Sequence, residues 1–62
     1  MDTKIYALIN GMTRRQLGGV LLGAGFALPA DKSRDALRDV VRSKFQDGTL
    51  DATDILAETS TA

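Results

Sequence analysis

The stretch Met12–Gly25, MTRRQLGGVLLGAG, decides how this chain folds. Thr13 stands just ahead of an apolar series, and Gln16 follows three residues later. The threonine hydroxyl can accept a hydrogen bond from the Gln16 amide while the Gln16 side chain accepts one from the Thr13 amide. With Met12 able to pack on Leu17, the pattern is a capping box with a hydrophobic staple. Leu17, Val20, Leu21 and Ala24 recur at the helical period, and Gly25 is the residue type that closes a helix. A short helix that starts at Thr13 and stops at Gly25 follows. Inside it Gly18, Gly19 and Gly23 each cost about 1 kcal/mol of helix propensity relative to alanine. Two explanations stand side by side: close approach of another helix or chain on the side shared by residues 19 and 23, or a weak, frayed helix.

On the N-terminal side, Ile5, Leu8, Ile9 and Met12 follow i, i+3, i+4, i+7. They predict an amphipathic helix from about Asp2 to Asn10, flanked by Tyr6 and ended by Gly11. On the C-terminal side, Pro29 disfavours helical geometry at Leu28, so Phe26–Ala30 reads as an extended apolar loop with Phe26 and Leu28 turned to the core. Ser33 is the N-cap of a third helix whose stripe is Leu37, Val40, Val41 and Phe45. Arg34, Arg38 and Arg42 recur every four residues beside that stripe, and Asp35 and Asp39 are spaced to form weak i, i+3 pairs with Arg38 and Arg42. Gly48 ends this helix. Asp51 caps a last short one, with Leu50 stapled to Ile55. The expected fold is all-α: three main helices plus a short C-terminal helix, with an extended Pro-containing loop between the second and third. One domain is expected over 1–57 and a disordered tail over 58–62. The expected core is Ile5, Leu8, Ile9, Leu17, Val20, Leu21, Phe26, Leu37, Val40, Val41 and Phe45.

A chain of 62 residues buries only about 60% of its unfolded surface, so one marginally stable domain is expected. Without cysteine or histidine it has no disulfide framework, no thiolate or imidazole metal site and no familiar nucleophile–base pair. Exposed carboxylates with nothing to shift their pKa complete the case against an enzyme. No cofactor and no metal are expected. Asp47, Asp51 and Asp54 lack the alternating ligands and closing glutamate of a calcium loop, and helix capping accounts for them. The glycines do not lie between a strand and a helix and no Gly-Lys-Ser/Thr follows, which argues against a phosphate cradle for nucleotides. Arg14-Arg15 ahead of an apolar run has the form of a twin-arginine export signal, but cleavage after Ala30 would leave too short a cargo to fold. The run is also too short and glycine-broken to span a bilayer. A cytoplasmic protein without a membrane partner is expected.

Charge is uneven although it sums to zero. From Arg14 to Lys44 there are seven basic residues against three acidic ones, and from Asp47 onward four acids and no base. A basic face and an acidic end permit nucleic-acid binding. Thr13, Leu17, Leu21 and Gly25, with Phe26 after them and Lys32 ahead of the next helix, resemble the first helix and loop of the SAP, HeH and LEM group of helix-extended-loop-helix modules. The likeness covers Met12 to about Val41. It departs from the SAP pattern in a longer loop, closer to LEM length, and in Ala30-Asp31 where a glycine is usual. The resemblance implies two functions, because SAP motifs are associated with DNA, HeH motifs occur in bacterial and phage proteins, and LEM motifs mainly bind protein.

For DNA, the residues expected to meet phosphate are Thr13, Arg14 and Arg15 at a helix N-terminus, extended by Lys32, Arg34, Arg38 and Arg42. Zero net charge and the lack of an aromatic stacking series point to weak, shape-dependent binding rather than base readout. For a protein partner or a homo-oligomer, the expected interface is Gly19, Gly23 and Leu22. Phe45–Leu56 also resembles the helix-turn-helix of short oligomerisation motifs such as SHOCT.

Overall fold

The computed structural model describes residues 3–60, and among them the chain forms four helices and no strand: α1 (Thr3–Gly11), α2 (Arg14–Gly23), α3 (Arg34–Asp47) and α4 (Ala52–Ser60). The expected start of the first helix at Asp2 lies outside the described residues. Residues 24–33, including Pro29, join α2 to α3 without helix. The Cα radius of gyration of 10.2 Å is that of a close-packed chain of this length, for which about 11 Å is typical.

Local chemistry sets the helix ends. Thr13 Oγ1 accepts from the Gln16 amide at 3.2 Å and Gln16 Oε1 accepts from the Thr13 amide at 2.9 Å, closing the capping box. Ser33 Oγ accepts from the Ala36 amide at the head of α3. Both helices then stop in the same way. Gly25 and Gly48 adopt the left-handed conformation, with φ of 89° and 84°, which costs a residue with a Cβ about 1 kcal/mol or more. The Phe26 amide donates to the Leu21 carbonyl and the Gly25 amide to the Leu22 carbonyl. The Thr49 amide donates to Lys44 and the Gly48 amide to Phe45. These are Schellman closures, which satisfy carbonyls a helix end leaves bare. At α4 it is Asp54 rather than Asp51 whose side chain is engaged: its carboxylate accepts from the Asp51 amide. Replacing Thr13 with alanine should cost about 1 kcal/mol and lower the melting temperature by about 4–8 °C, measured by thermal denaturation.

Packing joins elements distant in sequence. α2 lies against α3 and α4, and α1 lies against the same two, whereas the sequence neighbours α1 and α2, and α3 and α4, share little contact. The fully buried side chains are Ile9, Met12, Leu17, Val20, Leu21, Leu37, Val41, Leu50 and Ile55. Ile5, Leu8, Phe26, Val40 and Phe45, expected in the core, are half-buried against it. Met12, Leu50 and Ile55 complete the interior in their place. These are staple residues, and their hydrophobic contacts at the helix entries are part of the main core rather than local to each cap. Tyr6 and Phe45 meet edge to face, with ring centres 5.4 Å apart.

Two expectations about the C-terminus change. The last helix is no minor one, since α4 and α1 each have 9 residues. The tail expected to be disordered from Glu58 is helical through Ser60; Thr61 and Ala62 lie outside the described residues. Ile55, fully buried, anchors α4 to the interior, so the helix is held by packing that its polar end does not advertise.

Candidate functional site

An open groove of about 510 Å³ runs along α2 beside the loop that leads into α3. Its lining combines Arg14, Arg15 and Lys32 with Gly18, Gly19, Leu22, Leu28 and Leu37. The capping box places the two arginines in the first turn of α2, outside the apolar stripe, and both are exposed. Lys32 sits just ahead of the α3 cap, at the end of the connection. That connection passes Leu28 close over the bare Cα of Gly18, where an added Cβ would be 3.8 Å from Leu28 Cδ2. The groove thus has an apolar floor and a cationic rim.

Among the described residues none of Arg14, Arg15 and Lys32 forms an ion pair. The first amides of α2 add partial positive charge, as at any helix N-terminus. Beside Lys32, Asp31 Oδ1 accepts from the Ser33 amide at 3.0 Å. That bond first, and the Ser33 hydroxyl second, hold the Asp31 carboxyl below its ordinary pKa. Its contribution to stability is therefore present above the unfolded-state pKa and is lost as pH falls through the folded value.

The other three arginines expected at the interface are committed elsewhere. Arg34 Nε donates to the Met12 carbonyl at 2.9 Å and its Nη2 to the Asn10 carbonyl, so it serves the C-terminal end of α1. Arg38 pairs with Asp35 at 3.5 Å and is mostly covered, its side chain only 29% exposed. Its Nε is buried with no hydrogen-bond partner. Arg42 pairs with Asp39 at 3.3 Å. The four-residue spacing does set these arginines along one side of α3, but none of them lines the groove: Arg34 bonds to the end of α1, and Arg38 and Arg42 pair with the helix's own aspartates. Lys44, with its ammonium 4.3 Å from the centre of the Phe26 ring, is engaged as well. Thr13 is occupied by its cap.

Of the residues expected to meet a protein partner, Leu22 is 60% exposed on the groove wall and Gly23 is open to solvent. Gly19 faces α4. A Cβ there would meet the far end of the Glu58 side chain, which reaches this side of α2 from α4. The floor residues Gly18, Leu28 and Leu37, and the neighbouring Glu58, were not among the expected site residues. No local pattern marks them, because the connection and α4 reach this face only in the folded chain.

Comparison with protein-family models, with curated proteins and with solved structures gives no match. Among the described residues no helix is long and apolar enough to cross a membrane.

Proposed function

We propose that this chain is a small non-enzymatic module that binds duplex DNA weakly through its phosphate backbone, using Arg14, Arg15, Lys32 and the first turn of α2. The observation that carries this reading is the gathering around one groove of three cations without ion partners among the described residues, while Arg34, Arg38 and Arg42 are engaged in bonds of their own. Unpaired cations at a helix N-terminus suit phosphate oxygens, and such contacts set position rather than sequence preference. The resemblance to SAP modules over residues 12–41 supports the same ligand.

A salt titration with duplex DNA tests the proposal. Each phosphate contact contributes a slope of about −0.9 in log K against log salt, so three contacts give about −2.7, against about −5.4 if all six cations took part. Changing Arg14 and Arg15 together to glutamine should reduce the slope to about −0.9 and leave the melting temperature unchanged. Absence of binding at low salt would remove the proposal. A second reading, a LEM-like protein adaptor or self-associating module, is favoured by exposed Leu22 above the apolar floor. Its mark would be a complex or dimer that survives high salt, since apolar contacts are not screened.

A further inference from the structure

Duplex DNA would engage the rim of the groove and leave its apolar floor bare. Leu22, Leu28 and Leu37 line that floor, and Gly18 lies among them. Gly25 and Gly48 are held to glycine by their left-handed backbone, but Gly18 has no such requirement. A Cβ on it would be 3.8 Å from Leu28 Cδ2, an ordinary van der Waals contact, so the fold has room for alanine there. Alanine would also be the better helix former. The missing methyl deepens the groove at a cost in stability, a trade of the kind binding sites make. The groove volume of about 510 Å³ falls within the range of about 300–1,000 Å³ typical of small-molecule sites, where an apolar lining is joined by a few polar groups that orient the ligand. Here those groups are Arg14, Arg15 and Lys32, all cationic and, among the described residues, in no ion pair. Leu22 stands about 12 Å along α2 from Arg14 at the helical rise. A ligand complementary to both ends has an anionic head and an apolar tail of about that reach.

We infer that the groove binds a free single-chain anionic amphiphile, an acyl tail of medium length ending in a carboxylate. The head pairs with Arg14, Arg15 and Lys32, and the tail lies over Gly18 between Leu22 and Leu28. Charge complementarity selects the sign of the head, and the apolar floor selects against small hydrophilic anions. The inference rests on the reading of the rim as an anion site, though not on DNA being the anion. It gives Gly18 a role, as the position that keeps the floor deep enough for a tail. The bound tail also covers the Leu22 side chain, which the fold leaves 60% exposed.

The test is an amide NMR titration of the full chain at about 0.1 M salt with decanoate below its micelle concentration, with acetate as the control for the tail and decyltrimethylammonium for the head. Decanoate should bind with a dissociation constant of about 1 mM, as suits a ligand of its size on an open groove, and shift the amides of Gly18, Leu22, Leu28 and Lys32. Both controls should bind at least about ten-fold more weakly. Gly18→Ala should raise the melting temperature by about 2–8 °C yet weaken decanoate about five-fold, a combination that a purely structural glycine would not give. Leu22→Ala, at an exposed position where the fold is safe, should weaken decanoate about three-fold. Both variants should keep DNA affinity within about 1.5-fold of wild type, because phosphate contacts stay on the rim. Equal affinity for decanoate and decyltrimethylammonium would overturn the inference, as would shifts centred away from the groove or unchanged decanoate affinity in either variant once folded. Binding to phosphatidylglycerol vesicles without binding of free decanoate would overturn it in favour of a membrane surface. DNA binding without decanoate binding would overturn it and leave the DNA reading intact, whereas decanoate binding without DNA binding would overturn the DNA reading and leave the amphiphile site standing.

Discussion

Leu21→Ala should unfold a large fraction of this protein at room temperature. Leu21 is completely buried, and its carbonyl also receives the Phe26 amide in the closure of α2. Truncating a buried leucine costs about 2–5 kcal/mol, because the transfer free energy of the lost methyls is joined by the cost of the cavity they leave. A domain of this size sits near the lower end of the usual 5–15 kcal/mol range of stability, so the loss is comparable to the whole. The melting temperature followed by circular dichroism should fall by about 10 °C or more. Leu22→Ala, one residue on but 60% exposed, should stay within about 0.5 kcal/mol of wild type. Similar melting curves for the two variants would contradict the assignment of α2's buried face.

Arg34→Met should destabilise the fold and leave the DNA salt slope unchanged, the reverse of the Arg14/Arg15 double variant. A cation in the first turn of a helix opposes the helix dipole, so Arg34 is poorly placed for α3 itself. It is well placed for the end of α1, which has no basic residue in its own last turn, where the Asn10 carbonyl and the Met12 carbonyl just beyond the helix accept from the guanidinium. Loss of two charge-assisted hydrogen bonds at a partly exposed site should cost about 1–2 kcal/mol, read as a drop of about 5–15 °C in melting temperature. A flattened salt slope with unchanged stability would return Arg34 to the ligand-binding set.

Sequence and structure agree where the determinant is local. The Thr13–Gln16 box, the Ser33 cap and the stops at Gly25 and Gly48 each involve residues within one turn, and their bonding partners can be named from spacing alone. The apolar stripes likewise identify Ile9, Leu17, Val20, Leu21, Leu37 and Val41 as interior. What spacing does not provide is the meeting of distant segments. Arg34 shares a helical row with Arg38 and Arg42, yet its partners lie 22 and 24 residues earlier in the chain. Gly19 asks for a close neighbour, and nothing short of the α2–α4 packing names Glu58 as that neighbour. Lys32 joins Arg14 and Arg15 only because of the path taken by the connection between α2 and α3.

The pairing of α1 and α2 with α3 and α4, rather than with each other, bears on how portable the helix-loop-helix segment is. Residues 12–41 would carry Leu17, Val20, Leu21, Leu37 and Val41 with them but leave behind Ile9, Leu50 and Ile55, which close the same interior from both flanks. Each pair of helices is the lid of the other, and neither is a cassette that can be cut out and grafted. Transplanting the cationic rim to another scaffold therefore means moving the whole clasp, α1 and α4 included, even though neither of those helices contributes a cation to the rim.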